Sequence, residues 1–331
     1  MKVLVTGGAG YIGSATVSEL LAKGHEVRVL DSMIWGDAAL NKVMNQIEMM
    51  EGDVRNARDV AYAAEGMDAC VHLAGIVGDP ACRINSTAHY TTNVEATNTV
   101  VNVLTDPEAH LVRDFVFASS CSVYGNVAGL YDEVTETTPT GPLSAYADGK
   151  LRSEEIIRRK AAENPNFHPT ILRLTTLFGW SHRPRMDLVT NLFAHKALTE
   201  GEINIFGDGK QFRSLIHVFD VARAIVAVLE QPRFKRDRRT FHVGDQRNNR
   251  TVAEIAERVA EYVPGTKVNY KPGEPTDKRD YKINCTKIRN AIGWERTMSV
   301  EDGIADVVEN LKALDVTYDP MVHSNAHYPY D

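Results

Sequence analysis

The stretch that most restricts what this chain can fold into lies near its start. Val3-Leu4-Val5 is a short apolar run, Thr6-Gly7-Gly8-Ala9-Gly10-Tyr11-Ile12-Gly13 sets glycines three apart, and Tyr11 to Ala22 carries apolar positions at helical spacing. A strand, a tight turn and a helix are expected in that order. A turn without side chains lets the backbone approach a diphosphate closely. The free N–H groups at the helix start, with the helix dipole behind them, favour its negative charge. A dinucleotide is the expected guest, held at Gly7, Gly10, Tyr11, Ile12 and Gly13. A glycine pattern alone is a weak signal, and its position straight after a strand is what strengthens it.

The rest of the chain repeats the alternation. Glu26 to Leu30 reads as a second strand ending at Asp31, whose carboxylate can accept hydrogen bonds from a ribose 2′-hydroxyl and would repel a 2′-phosphate, favouring NAD over NADP. A plain turn aspartate before Ser32 is the other reading. A strand near Ile47 to Met50 leads to Asp53-Val54, where a carboxylate beside a small residue can meet the adenine. Ala69 to Leu73 is a further strand running into Ala74-Gly75; His72 within it reads as a core histidine. The segment Val77 to Ser86 is expected to be an irregular loop at a strand's carboxyl end, where open α/β sheets bind ligands. Thr87 to Leu104, carrying Asn93, is read as a long helix.

Asp114 to Ala118 is the fifth strand, and Ser119-Ser120-Cys121-Ser122 follows it. Four small polar or thiol side chains at a strand end suit a site that hydrogen-bonds a polar substrate, with a serine-rich turn as the bland alternative. Tyr146 and Lys150 open a helix continuing to about Ala162. Four apart, they share a helix face, so the ammonium can sit near the phenol and, with an oxidised nicotinamide, lower its pKa towards that of a usable base.

Length and composition bound the class. The 331 residues can bury a large core, and the alternating pattern points to an α/β protein on a doubly wound parallel sheet. A net charge of −7 argues against a nucleic-acid surface, and the basic run Arg233 to Arg239 reads as a solvated loop. The four cysteines show neither metal-ligand spacing nor a disulfide framework. No apolar run approaches the roughly 18 residues that span a bilayer. A cytoplasmic protein without a metal site, nucleic-acid partner or membrane anchor is expected.

Taken together, the glycine turn, Asp31, Asp53-Val54, Leu73-Ala74-Gly75, Asn93, Ser119-Ser120 with Val123-Tyr124-Gly125, Tyr146 with Lys150, Arg173, and Arg213 with His217-Val218-Phe219-Asp220-Val221 resemble the extended short-chain dehydrogenase/reductases of the nucleotide-sugar epimerase/dehydratase type, UDP-glucose 4-epimerase among them. The resemblance covers nearly the whole chain. It implies a Rossmann domain holding NAD (1–175, with 214–246 returning to it) and a smaller region, mainly 176–331, that clasps a nucleoside diphosphate sugar. It also implies a homodimer through the helices Thr87 to Leu104 and Tyr146 to Ala162. By position it makes Tyr146 the base, Lys150 the holder of the nicotinamide ribose, and Ser120 the partner of the reacting oxygen. Leu73, Ala74, Gly75, Asn93 and Ser119 would complete the cofactor site. Ser120, Cys121, Ser122, Thr176, Arg185, Asn191, Arg213 and Arg279 would face the substrate, with Arg213 on its diphosphate. For Arg279 a surface ion pair is the alternative.

Departures from the pattern bear on the reaction. Relatives that dehydrate place an Asp-Glu pair just after the position of Ser120, and this chain has Cys121-Ser122 there. Without those carboxylates, 4-epimerisation through a transient 4-keto sugar leads. A dehydratase using Cys121 as acid or base, or a net oxidoreductase, stands behind it, as does a structural Cys121. Thr176 stands where many relatives carry asparagine. The second half is expected to hold an Arg/Pro-rich loop from Trp180 to Asp187 (Arg183, Pro184, Arg185), a helix Leu188 to Leu198 and a strand Ile203 to Phe206. After these come a helix Asp220 to Leu229 returning to the nucleotide domain, a strand Thr240 to Gly244, a Thr251 helix boxed by Glu254, and a helix Val300 to Leu314. The tail from Thr317 reads as docked or disordered.

Overall fold

A computed structural model describes residues 1–108, 112–127, 133–273, 279–314 and 324–325. The first half alternates as its pattern requires. β1 (Lys2–Thr6) leads to α1 (Tyr11–Ala22), β2 (Glu26–Asp31), β3 (Ile47–Glu51), α2 (Ala57–Ala64) and β4 (Ala69–His72). Next come α3 (Asp79–Ile84), α4 (Ser86–His89), a wide π turn (Tyr90–Glu95) and α5 (Ala96–Leu104), then β5 (Asp114–Ser120), α6 (Ala145–Glu163) and β6 (His168–Leu174). Two expectations change here. The segment after β4 is not irregular, because α3 forms within it with Pro80 in its first turn, where a missing N–H costs nothing. The Thr87–Leu104 helix contains the π turn, whose freed Asn93 carbonyl accepts the hydroxyls of Thr97 (2.6 Å) and Ser153 (2.9 Å).

The second half gives β7 (Thr176–Phe178), α7 (Val189–Thr199), β8 (Glu202–Phe206), β9 (Phe212–His217), α8 (Val218–Glu230), α9 (Arg233–Arg236) and β10 (Thr240–Val243). It continues with β11 (Asn249–Thr251), α10 (Val252–Tyr262), β12 (Lys267–Lys271), α11 (Thr286–Ile292) and α12 (Val300–Leu314). Thr251 and Glu254 form the expected capping box. Apart from Ser324 and Asn325, the tail lies outside the described residues.

The central sheet has seven parallel strands in the order β10-β6-β5-β4-β1-β2-β3. Strand alternation fixes its two faces. Val3 and Val5 join Val17 and Leu20 of α1 and Val221 and Ile225 of α8 on one side, while Leu4 joins Val60 of α2, Val100 of α5 and Ile157 of α6 on the other. The order reverses between β1 and β4, opening a crevice at the strands' carboxyl ends. His72 is the expected core histidine: it meets Thr6 Oγ1 at 2.7 Å and Thr97 Oγ1 at 3.3 Å, and burial lowers its pKa to about 3.

A separate core of Phe178, Phe193, Ile205, Leu215, Ile255 and Val307 packs α7, α10 and α12 against the smaller sheets β11-β9-β7 and β12-β8. The chain returns to the central sheet from α8, one residue after β9. His217 caps α8 by accepting from the Phe219 N–H, and buried Asp220 accepts the Thr297 and Met298 N–H groups at 2.9 and 3.0 Å. The basic run is not a solvated loop. Arg233 and Arg236 donate to both oxygens of Asp114, the first residue of β5, at 2.9 to 3.0 Å.

Candidate active site

The crevice is a cavity of about 480 Å³. Its floor at one end is the glycine turn. Gly7 sits at φ +73°, and a Cβ there would lie 2.7 Å from the Ala74 nitrogen; a Cβ on Gly13 would collide with the Gly7 carbonyl. The helix behind the turn starts at Gly10 with no side-chain cap, so its first N–H groups remain open to a ligand. Asp31, at the end of β2, accepts the N–H groups of Ala9 and Met33 at 3.0 Å each, fixing the carboxylate at the cavity edge. Burial raises its pKa, against the pull of those N–H groups. Asp53, Val54, Leu73, Ala74 and Gly75 line the walls. Asn93 stands behind them: its amide accepts the Ile76 N–H and donates to the Ile76 carbonyl, both at 2.7 Å, and so pins the turn after β4.

The other end is built by β5 and α6. Ser119, Ser120, Tyr146 and Lys150 line the same cavity. Ser144 caps α6 by accepting the Ala147 N–H, placing Tyr146 in the first turn. Ser120 Oγ accepts the Ser122 N–H at 3.2 Å, and its hydroxyl pulls the pKa of the Tyr146 phenol down. Lys150 is buried, donates to the Ala118 carbonyl at 2.8 Å, and lies 6.0 Å from the Tyr146 ring centre and 4.8 Å from that of Phe117. Burial dominates both titrations, raising Tyr146 to about 12 and lowering Lys150 to about 8. Arg185 and Ser120 pull the phenol down against burial, while Cys82 and Asp79 push it up.

Several expected substrate residues lie elsewhere. Cys121 is 1 % exposed and packs with Val123, Tyr124, Val127 and Cys285, its thiol facing the Arg173 carbonyl at 3.4 Å and pushed far up by burial. Ser122 is buried as well. The 3₁₀ turn Cys121–Tyr124 starts directly at the strand end and carries both side chains away from the cavity. Asn191 is fully buried and holds the loop: it accepts from Gly179 N–H at 3.0 Å and donates to the Gly179 and Arg185 carbonyls. Thr176 is on β7 outside the cavity lining. Arg185 does line it, paired with Asp187 at 2.6 Å. Arg213 donates to the Arg279 carbonyl, and Arg279 approaches Asp79 at 4.0 Å, so these two come together beside α3.

Trp35, Thr92 and Asn325 line the cavity without a sequence signal of their own, and Arg183 joins them from the Arg/Pro-rich loop. Cys82 packs with Ile76 and Ala81 against Tyr146, and burial raises its thiol to about 12. Behind Ser119 runs a buried polar chain. Ser119 Oγ donates to Glu154 at 2.5 Å, Arg173 grips both Glu154 oxygens at 2.9 and 2.7 Å, and a third Arg173 nitrogen reaches Tyr124 Oη, which meets His242 at 2.6 Å.

A parallel sheet ordered 3-2-1-4-5-6-10, an open helix start over a glycine turn, an aspartate at the end of β2 and a Ser/Tyr/Lys set at the far end define a dinucleotide-dependent short-chain dehydrogenase/reductase. The sequence model of the NAD-dependent epimerase/dehydratase family matches residues 3–244, and the chain belongs to that family. It is 29 % identical over 330 residues to the UDP-glucose 4-epimerase of Bacillus subtilis (92 % of this chain, 95 % of the relative). Among solved structures it is similar to the UDP-glucose 4-epimerase of Thermotoga maritima with UDP-glucose (TM-score 0.85, 26 % identity, 96 % of this chain and all of that one). It is equally similar to DesIV, the dTDP-glucose 4,6-dehydratase of Streptomyces venezuelae solved with NAD (TM-score 0.84, 27 % identity, 97 % of this chain and all of that one). The cofactor is NAD, and the cradle fits it: the uncapped N–H groups at the start of α1 open onto the cavity where a diphosphate can accept them, and Asp31 suits an unphosphorylated ribose.

Proposed function

We propose that the chain is a nucleoside diphosphate sugar 4-epimerase, with the dinucleotide held in 1–175 and by the returning segment and the sugar clasped mainly by 176–331. The observation that carries this reading is the meeting of Ser120, Tyr146 and Lys150 at one end of a cavity whose other end is the glycine turn and Asp31. Bound NAD supplies a reversible hydride acceptor. Tyr146 takes the proton from the sugar 4-hydroxyl and returns it, and Ser120 holds the same oxygen. The buried ammonium of Lys150, fixed on the Ala118 carbonyl, stabilises the phenolate as it forms. Arg185, Arg213 and Arg279 supply the cationic edge for the sugar diphosphate.

Dehydration loses its candidate acid and base, since positions 121 and 122 carry no carboxylate and Cys121 faces away from the cavity. UDP-glucose is the first substrate to try, because the epimerase relatives are named for it. A cytoplasmic homodimer belongs to the same proposal: Tyr90, Val94 and Ile156 line a groove between the π turn and α6, flanked by Arg152, Glu155 and Arg159. The test is Tyr146→Phe, assayed with a panel of nucleotide sugars and by NAD titration. Turnover should fall by about 10²–10⁴-fold while NAD still binds; unchanged turnover would remove Tyr146 from the chemistry.

A further inference from the structure

The loop between β7 and α7 brings Arg183 over the cavity, near the end of β2. The side chain is 5 % exposed, and it lines the cavity that holds the glycine turn. Its guanidinium lies 4.2 Å from the Trp35 ring centre, and Nη1 donates to Asn325 Oδ1 at 2.6 Å. The Asn325 amide in turn donates to the Val77 carbonyl at 3.4 Å, so this tail residue braces the arginine from the side of β4. Nε and Nη2 are buried and have no hydrogen-bond partner among the described residues. A buried guanidinium with two vacant donors costs stability unless something anionic arrives to accept them. Burial and the nearby Arg185 hold its pKa down to about 10, against the pull of the Asp187 and Asp31 carboxylates.

We propose that Arg183, braced by Trp35 and Asn325, is a clamp for the diphosphate of the dinucleotide, closing it from above while the glycine turn holds it from below. The inference rests on NAD being the cofactor and not on which sugar reaction follows. Three anions could in principle answer the vacant donors. The dinucleotide diphosphate would be held by the glycine turn, which lines the same cavity as Arg183. A 2′-phosphate would have to sit against Asp31, whose carboxylate is close enough to Arg183 to raise the arginine's pKa and would repel it. The sugar diphosphate has cations of its own in Arg185, Arg213 and Arg279. A planar fork with two free N–H donors suits a diphosphate's paired oxygens.

The test is titration calorimetry of the NAD-stripped full chain with NAD, ADP, adenosine, NADP and UDP, for wild type, Arg183→Gln, Arg183→Lys and Asn325→Ala. Arg183→Gln should weaken NAD and ADP by about tenfold or more while leaving adenosine and UDP within about twofold. Lysine should recover part of the loss, and Asn325→Ala should show a smaller loss on the same two ligands. ADP binding unchanged by Arg183→Gln, or NADP or UDP weakened in preference to ADP, would overturn the assignment. An equal loss on adenosine and ADP would do the same, because it would mark a packing role beneath Trp35. Should Arg183→Gln not fold, Asn325→Ala with the same ligands carries the same discrimination.

Discussion

At the scale of single residues, neighbours in sequence separate in function. Ser120 faces the cavity and Cys121 turns into an apolar cluster. Cys121→Ala should therefore leave kcat/KM within about twofold while costing about 1 kcal/mol of stability through the small void it creates; a loss of turnover far beyond that, at unchanged fold, would reinstate the thiol as an acid or base. Lys150 shows the opposite bargain. Its folded pKa of about 8 lies below that of an exposed lysine, so the native state binds fewer protons than the unfolded chain between about pH 8 and 10.5. The stability cost of the buried ammonium is thus fully present below pH 8 and is relieved as pH rises through that window. Lys150→Met should abolish activity yet hold or raise the melting temperature of the ligand-free protein at pH 7, and scanning calorimetry reads the result directly. The glycines and Asp31 were legible because a close backbone approach and a strand-end carboxylate are local demands. Arg183, Trp35 and Asn325 were not, because their meeting depends on three distant segments folding together.

Among the elements, α6 ties catalysis to the core. One of its faces carries Tyr146, Lys150 and Glu154, and Glu154 receives Ser119, Arg158 and the Arg173 fork. Removing its charge leaves Arg173 buried and uncompensated, so Glu154→Gln should cost about 3–5 kcal/mol by urea denaturation. Its bonding partners outweigh burial and hold the Glu154 pKa below the ordinary carboxylate value, so this stabilisation is present above about pH 4.5 and is lost as pH falls through the lowered folded pKa. The wild-type unfolding midpoint should accordingly fall on acidification more steeply than that of Glu154→Gln. The helix and its Tyr/Lys spacing were readable from periodicity. The pairing of Glu154 with Arg173 was not, and neither was that of Asp114 with the basic run: a charge cluster reads as solvated until its partner, some 120 residues away, is placed beside it.

For the whole molecule, the order of the sheet decides where chemistry can occur. Reversal between β1 and β4 gives one crevice, and the glycine turn, Asp31, Ser120 and Tyr146 reach it from a strand end or the start of a helix, with Arg183 added from the loop after β7. The alternating pattern made this architecture legible, and the family resemblance located the crevice. The second core around Phe178 and Ile255 was less visible, since its short strands β7 and β11 offer few residues each for a period to show. The central claim is an internal redox cycle in which the sugar's hydrogen leaves C4 and comes back to it, with Tyr146 handling only the proton. The most direct measurement follows a nucleotide sugar that the enzyme turns over, UDP-glucose first, carrying deuterium at C4, by NMR and mass spectrometry. The account predicts the 4-epimer at unchanged mass, with deuterium retained at C4 and no NADH accumulating; a product lighter by one water, or NADH growing in step with product, would contradict it.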